Sequence, residues 1–401
     1  MDRRKVFAHY MVGLTNGQTS DIWIREINTA KLAGIDGFAL NIGPNDPWTK
    51  EQLTKAYKAA EQATRFSLFL SFDMAAGSWS VPQVVDLIRT YSGSPAQTRV
   101  DGLPLVSTFE GPGWAGNWAA VRRETGGICL IPSWSSLGPY GVGQKLDLID
   151  GAFSWDAWPK AEQHRMTTVE DHLYKENLRG KKYMMGVSPW FYTDLHQWNK
   201  HWYSSSESLW FDRWQQVLEI RPDFVQIITW NDFGESSYIS DIMPSQVVSG
   251  AHGYISDHSH AGFRAVLPYL IAAYKAGTGE SSWTGPDTVC AWYRTMPVRG
   301  RGVDRRSGRV SAVHGARDVI SVMAVTKGPA SIEVSIGDSR RMTLKTTGTS
   351  PLSYFELPFS RSTTGPVGLA LNGKRVVGPE ITNGPANGKV SLNAVSIHVQ
   401  A

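Results

Sequence analysis

The chain has 401 residues, of which 41% are apolar and 19% charged; this suits one large domain plus a smaller one and excludes a disordered protein. The formal charge of +4 is spread along the chain, and the densest basic run, Arg299 to Arg309, contains glycines but no RNA or DNA motif, so we expect a solvated loop and no nucleic-acid partner. No segment approaches the roughly 20 apolar residues of a membrane span, so no membrane partner is expected.

The cysteines and the first residues bear on where the protein works. Cys129 and Cys290 lie in apolar stretches, which favours buried free thiols over a disulfide framework. The first ten residues lack the apolar core of a secretion signal, so any leader of the native precursor is expected to have been removed. We expect a soluble monomer.

Short apolar runs then alternate with helical patterns. The first strand-like run, KVFAHYMVG, precedes a helix whose Trp23, Ile27 and Ala30 recur at helical spacing. After the second strand, GIDGFALNIG, Thr49 and Gln52 have the spacing of a capping box and predict the start of a helix. Further strands are predicted in FSLFLSFDM, LPLVSTFEG, GICLIPSW, LIDGAFSWDAW, KKYMMGVSPW and FVQIITWND. Eight strands in about 280 residues are typical of an α/β protein built as a (β/α)8 TIM barrel.

The pattern changes after Gly277. From DTVCAWYRT onward, short alternating runs are separated by Gly, Ser, Pro and Asn, which predicts a C-terminal antiparallel β-sandwich. We therefore predict a barrel domain over residues 1–282 and a sandwich domain over residues 283–401. Residues 368–374 match a phosphate-loop spacing, but Asn372-Gly373 between alternating strands predicts a hairpin turn instead.

A TIM barrel presents reactive groups at the carboxyl ends of its strands, because packed side chains fill its interior. Here the predicted strand ends carry acids and indoles, among them Asp73, Trp155, Asp232 and Glu235. This combination suggests glycoside hydrolysis, in which one carboxyl group protonates the leaving oxygen and a carboxylate activates water or attacks carbon. No nucleophile elbow, zinc motif or dinucleotide fingerprint points to a rival chemistry, and no metal or cofactor is expected.

Several runs together resemble a known family. AHYMVG, ALNIG, LFLSFDM, DGAFSWDAWP, YMMGVSPWFYT and ITWNDFGES look like segments of the fungal α-1,3-glucanases, or mutanases, of glycoside hydrolase family 71. The resemblance covers about Val6 to Arg294 in order and extends into the C-terminal sandwich. It implies a barrel joined to a sandwich, inverting hydrolysis of α-1,3-glucan in fungal walls or bacterial mutan, and a secreted or cell-wall protein. We expect endo action.

The resemblance also implies three catalytic acids, Asp73 in the FDM motif and Asp232 and Glu235 in WNDFGES. We expect Glu235 as the general acid and Asp232 as the base, but the reverse stays open, because repulsion or burial can keep either carboxyl protonated near neutral pH. Inverting enzymes usually separate their carboxyls by roughly 6.5 to 9.5 Å. Two acids three residues apart can be closer, so Asp73 is an alternative base or a sugar-positioning residue.

Further residues are predicted to bind sugar, because polar atoms at strand ends can reach hydroxyls and indole faces can stack on sugar rings. They are His9, Tyr10, Asn41, Trp134, Trp155, Asp156, Trp190, Tyr192, Asn231 and His258. The competing interpretation is structural: strand ends can be packed, Asp156 can cap a helix, and indoles can belong to the core. The aromatic stretch 189–206 is predicted to form a subsite wall. His252, His258 and His260 lack the cysteine or acid framework of a metal site.

Two other functions stay open. A catalytically silent carbohydrate-binding barrel would keep the tryptophans and lose an acid, so the intact trio argues against it. A hydrolase of another α-glucan would keep the acids and differ in the subsite walls that set linkage preference.

Overall fold

The computed structural model describes residues 4–160, 163–277, 283–298, 315–360, 362–384 and 391–401. The basic run at 299–309 lies outside them, as does residue 282 of the predicted domain boundary, which stays a prediction. Contacts divide the chain into two compact units. The first unit comprises Met1–Ala157, Thr167–Val187 and Glu219–Trp230, and the second comprises Trp158–Met166, Ser188–Leu218 and Asn231–Ala401.

The first unit is an α/β structure built on a mostly parallel sheet. Its strands are β1 (Lys5–Met11), β2 (Gly37–Ile42), β3 (Ser67–Asp73), β4 (Arg99–Val100), β5 (Leu103–Phe109), β6 (Cys129–Leu130), β7 (Gly151–Ser154), β8 (Lys182–Val187) and β11 (Phe224–Ile227). The intervening strands β9 (Tyr192–Leu195) and β10 (Lys200–Tyr203) belong to the second unit. The order is β4-β5-β3-β2-β1-β11-β8-β7 with β6 beside β5, and only the short β4 pairs antiparallel among these strands. In this register Ala8 lies between Phe38 and Ile227. All eight predicted strands are present.

Burial on both faces explains why these apolar runs pair in parallel. Every residue of β2 is buried, as expected for a parallel strand covered on both sides. The backbone N–H groups of Asp150 and Phe153 donate to the carbonyls of Leu130 and Pro132, each at 2.9 Å. The segments that contain β6 and β7 are therefore also joined by hydrogen bonds.

Helices lie between the strands: α1 (Ser20–Leu32), α2 (Thr49–Gln62), α3 (Val81–Ser92), α4 (Trp118–Thr125), α5 (Gly138–Gly143) and α6 (Val169–Leu178). The predicted spacing of α1 is confirmed, since Trp23, Ile27 and Ala30 are fully buried. The predicted capping box of α2 is wrong: the cap residue is Trp48, whose side chain makes no capping bond. Gln52 instead accepts a hydrogen bond from Trp23 Nε1 at 2.9 Å, so packing against α1 decides its role.

The second unit combines a hairpin, helices and two antiparallel sheets. The hairpin is β9 (Tyr192–Leu195) and β10 (Lys200–Tyr203), and the helices are α7 (Leu209–Ile220), α8 (His252–Ile255), α9 (Ala261–Ala265) and α10 (Leu267–Ala276). The sheet strands are β12 (Thr288–Arg294), β13 (Val319–Val325), β14 (Ser331–Ile336), β15 (Arg340–Lys345), β16 (Leu352–Pro358), β17 (Gly365–Leu371), β18 (Lys374–Ile381) and β19 (Ala394–Gln400). Their orders are β16-β13-β12-β19 and β15-β14-β17-β18.

Both antiparallel sheets contribute to one hydrophobic cluster, which includes Ala291 and Val322 from one sheet and Val334 and Leu369 from the other. The turn between β17 and β18 is Asn372-Gly373, with φ values of 50° and 81°, which suit a two-residue hairpin. The phosphate-loop spacing is therefore a hairpin, as predicted. Both cysteines are buried and free, also as predicted. Every helix among the described residues is too short or too polar to cross a bilayer.

Candidate active site

The two acids of the WNDFGES motif share one tight turn of the second unit. Asp232 caps the 3-10 turn Phe233–Glu235, and its Oδ1 accepts the backbone N–H of Glu235 at 3.2 Å. Aspartate suits this position because its carboxylate satisfies a free backbone donor. The backbone of one acid therefore fixes the side chain of the other.

A lysine from the hairpin contacts this pair. Lys200 Nζ donates to Glu235 Oε1 at 2.9 Å, and the side chains of Lys200 and Glu235 are 43% and 20% exposed. The contact therefore lies at the edge of the unit, where a ligand can reach it.

The surroundings of Asp232 change its proton affinity. Burial, and secondly the neighbouring Glu235 carboxylate, raise the pKa of Asp232 from 3.8 to about 7, while Lys200 and backbone N–H groups lower it by less. Asp232 is thus largely protonated below pH 7. A carboxyl group that keeps its proton beside a second carboxyl group is an arrangement that acid–base catalysis uses.

The raised pKa of Asp232 predicts a pH-dependent stability. The pKa of Asp232 is 3.8 in the unfolded chain and about 7 in the folded protein. At pH values between these two, the folded protein holds a proton that the unfolded chain releases, so the contribution of Asp232 to stability falls as pH rises. We expect Asp232→Asn to raise the free energy of unfolding by about 1–2 kcal/mol at pH 8 and to have no such effect at pH 4. The range is smaller than the pKa shift alone would give, because Asp232 is partly exposed and water screens its charge. Denaturant unfolding at both pH values measures it. The exposed control Asp147→Asn should show no such pH dependence; equal effects of both variants would contradict the prediction.

Neutral side chains hold the turn that carries Asp232 and Glu235. Asn231 is 1% exposed and its Nδ2 donates to Gln246 Oε1 at 2.8 Å. Tyr254 Oη donates to the carbonyl oxygen of Gly234 at 2.7 Å. Asn231 therefore positions the turn, and its predicted contact with sugar stays a prediction.

Asp73, the third predicted acid, lies at the end of β3 in the first unit. Its Oδ1 accepts the backbone N–H groups of Ala75 and Ala76, both at 3.0 Å. Its own carbonyl oxygen accepts Trp79 Nε1 at 2.9 Å. One carboxylate oxygen thus orders the loop after β3, and the side chain is only partly buried, which leaves it accessible to a ligand.

His9 and Trp155 come together in the first unit. Their rings meet edge to face with centroids 4.9 Å apart, and His9 Nδ1 lies 2.8 Å from Gln226 Nε2. Burial lowers the pKa of His9 to about 3, so the imidazole is neutral over the whole physiological range. Trp155 keeps partial exposure and is the predicted stacking residue of this unit that a sugar ring can reach.

Four other predicted residues of the first unit differ in exposure. Tyr10 is fully buried and its ring stacks on Trp23 of α1, with centroids 4.6 Å apart. Because adjacent strand residues point to opposite faces, Tyr10 packs on the face of β1 opposite to His9. Trp134 and Asn41 are 1% and 4% exposed. Asp156 is partly exposed, and its interpretation as a helix cap is wrong, since the next helix, α6, follows Thr168.

In the second unit the predicted aromatic residues are mostly covered. Trp190 is 1% exposed, and its Nε1 donates to the carbonyl oxygen of Leu392 at 2.9 Å. Tyr192 is 8% exposed and packs edge to face on Tyr254 at 5.2 Å. His258 is 9% exposed, and both its ring nitrogens lack a hydrogen-bond partner among the described residues. Burial lowers its pKa to about 4, so a neutral ring is left for a water or sugar hydroxyl.

Two residues escaped the sequence analysis. Lys200 lies 35 residues before Glu235, and α7 and β11 lie between them, so no local signal links the two residues. Asp46 follows β2 in the run GPNDPW. Its Oδ2 lies close to two glycines, since an added β-carbon would be 3.0 Å from it at Gly13 and 3.2 Å from it at Gly43. Its position just after a strand end could have marked it. Among the described residues no three His, Cys, Asp or Glu side chains are grouped as a metal site.

Comparison with known proteins decides the family. The family model described as glycosyl hydrolase family 71 matches residues 2–401. The chain belongs to glycosyl hydrolase family 71. A mutanase of Penicillium rubens is 36% identical to this chain over 346 residues, which cover 83% of this chain and 75% of the relative. A glucan endo-1,3-alpha-glucosidase of Schizosaccharomyces pombe is 32% identical over 401 residues, which cover 95% of this chain and 91% of the relative.

A solved structure is similar to this family 71 chain in fold. The GH99 endo-alpha-mannosidase of Bacteroides thetaiotaomicron has a TM-score of 0.55 at 12% identity and covers 70% of this chain and 99% of its own. At this identity the likeness speaks for the α/β fold alone. The protein is therefore a glycoside hydrolase on its sequence, and its fold is compatible with that class.

Proposed function

We propose that this glycoside hydrolase is an endo-acting α-1,3-glucanase that cleaves α-1,3-glucan of fungal walls or mutan with inversion. The observation that carries the proposal is the turn that holds Asp232 and Glu235, one carboxyl protonated and one paired with Lys200. The linkage is supported by relatives named mutanase and glucan endo-1,3-alpha-glucosidase.

In the proposed reaction the protonated carboxyl donates its proton to the glycosidic oxygen as the bond from that oxygen to C1 breaks. The other carboxylate removes a proton from a water molecule whose oxygen attacks C1 from the opposite face. The products are a chain with a new hydroxyl and a chain whose new reducing end has the β configuration. Solvent then takes the proton from the base and restores the acid.

The roles within the pair follow from where the proton rests. The sequence predicts Glu235 as the acid, which requires the proton to pass from Asp232 to Glu235 when the glucan binds. The electrostatics of the free protein favour the reverse, with Asp232 as donor, because burial keeps its proton and Lys200 stabilises the charge on Glu235. Asp73 is proposed as a third acid that binds sugar, supported by its partly exposed position after β3 in the first unit.

We also propose the finer architecture. The hydrogen bonds from Asp150 to Leu130 and from Phe153 to Pro132 support closure of the parallel sheet into a (β/α)8 barrel, since they join strands otherwise at opposite ends of its order. The hydrophobic cluster shared by the two antiparallel sheets supports a β-sandwich. A relative named ascus wall endo-1,3-alpha-glucanase supports a secreted or cell-wall location.

Incubation with insoluble α-1,3-glucan tests the function. We expect reducing ends to be released together with a mixture of soluble oligosaccharides, and little release from α-1,4- or β-1,3-glucan. Binding without release would indicate the silent carbohydrate-binding protein, and equal release from another α-glucan would indicate a different linkage. The Asp232→Asn, Glu235→Gln double variant controls for contaminating activity.

The stereochemistry gives a separate prediction. Because the base activates water on the face opposite to the leaving group, the first reducing ends should carry β anomeric protons. Proton NMR within the first minutes of reaction, before mutarotation, measures the ratio of anomers. Initial release of α anomers would contradict inversion while leaving hydrolysis itself intact.

A further inference from the structure

The contact between Lys200 and Glu235 depends on a close approach between two segments of the second unit. Lys200 pairs across the hairpin with Leu195, and a β-carbon added at Gly234 would lie 3.3 Å from Leu195 Cδ1 and 3.2 Å from Val248 Cγ2. Glycine at position 234 therefore leaves this approach open, whereas a β-carbon would require the Leu195 and Val248 side chains to move by a few tenths of an ångström. The same approach brings Lys200 Nζ within 2.9 Å of Glu235 Oε1.

The hairpin itself is held in place. Trp202 of β10 stacks on Phe191 with ring centroids 5.7 Å apart and planes 19° apart. At the hairpin tip, Gln197 Nε2 donates to the carbonyl oxygen of Ser249. These contacts anchor the hairpin on both sides of Lys200, so the ammonium group has a fixed position beside the acids.

We propose that Lys200 is a positioning residue that determines which carboxyl of the Asp232–Glu235 pair carries the charge, a role that rests on the proposed acid–base function of that pair. The ammonium group contacts the Glu235 carboxylate directly at 2.9 Å, and its effect on Asp232 is smaller than the effects of burial and of the Glu235 carboxylate. Because two charges on one turn repel each other, the single proton then stays on Asp232. The competing interpretation is a half-exposed ion pair that has no effect on the ionisation of the acids.

Other ionisable groups surround this contact and have their own pH dependence. On the hairpin, His196 Nε2 lies 3.0 Å from Asp194 Oδ1 and its ring stacks on His201 at 5.1 Å. On α8, Tyr254 interacts electrostatically with Asp232 and Asp194. His196 pairs with Asp194 close to Lys200, so the test includes a variant of this histidine as a control.

The experiment compares pH profiles of kcat/KM on α-1,3-glucan for the full chain, Lys200→Met and Lys200→Arg. Loss of the positive charge makes the acid pair bind its protons more tightly, so we expect Lys200→Met to move the pair's ionisation toward higher pH by about 0.5–1 unit. Lys200→Arg keeps the charge and should leave the profile in place. Lys50→Met, which removes an exposed ion pair with Asp86, and His196→Gln should not reproduce the shift.

Each outcome decides one point. An unshifted profile in Lys200→Met, with Asp232→Asn and Glu235→Gln both inactive, overturns the role of Lys200 and leaves the catalytic pair intact. Activity retained in both acid variants instead overturns the proposed function of the pair. If Lys200→Met does not fold, Lys200→Gln provides the same loss of charge. A readout independent of turnover is the melting temperature, which in Lys200→Met should fall more at pH 8 than at pH 5, because the pair is then doubly ionised without its cation.

Discussion

Asp232→Asn or Glu235→Gln will lower kcat on α-1,3-glucan by at least about 10³-fold, with far smaller changes in KM. Each change removes a group that moves a proton in the transition state, and general acid–base groups contribute typically 10²–10⁴-fold. Reducing-end release from a saturating suspension of α-1,3-glucan measures the effect. Circular dichroism should show both variants folded, because each substitution preserves side-chain volume.

Substrates with different leaving groups assign the two roles. An α-1,3-linked oligosaccharyl fluoride departs without protonation, so the variant that lacks the acid should hydrolyse the fluoride far better than the glucan, and the variant that lacks the base should fail on both. The proton held by Asp232 leads us to expect recovery in Asp232→Asn. Recovery in Glu235→Gln instead would return the acid role to Glu235 and imply proton transfer on binding. Near-normal activity of either variant on the glucan would remove that residue from catalysis.

Glu207→Gln will lower the free energy of unfolding by about 3 kcal/mol, because breaking a buried ion pair typically costs about 3–5 kcal/mol. The Glu207 and Arg294 side chains are 3% and 2% exposed, with Arg294 Nη1 2.6 Å from Glu207 Oε1. The same carboxylate oxygen accepts the backbone N–H of Arg317 at 3.0 Å. Removing the charge leaves the Arg294 guanidinium with Asp318, 3.6 Å away, as its remaining acidic neighbour. Denaturant unfolding measures the loss.

A surface variant and a double variant control this result. Glu219→Gln removes an exposed contact with His172 and should stay within about 0.5 kcal/mol of the unchanged protein. Adding Arg294→Met to Glu207→Gln should recover part of the loss, since no buried charge is then left alone. A loss as small as that of Glu219→Gln would mean that water or Asp318 compensates the buried arginine.

The sequence allowed much of the fold to be predicted, because the signals were local. Apolar runs bounded by turns predicted the eight strands from β1 to β11, and Asn372-Gly373 predicted its hairpin from the backbone angles that glycine and asparagine tolerate. The capping pattern of Gln52 failed because its side chain found a partner in Trp23, 29 residues earlier. Local propensity loses where a buried polar group has a better partner from elsewhere.

For the candidate site, the amino-acid order alone indicates that Asp232 and Glu235 share a turn, since they lie within four consecutive positions that include one glycine. Their electrostatics depend on contacts that form only in the folded chain. Lys200 reaches Glu235 across 35 residues, and burial moves the proton affinity of Asp232. Likewise, the sequence marked Tyr10 and Trp190 as candidates, but packing buried both. Charge and exposure depend on what surrounds a side chain in space, and a linear pattern does not contain those distances.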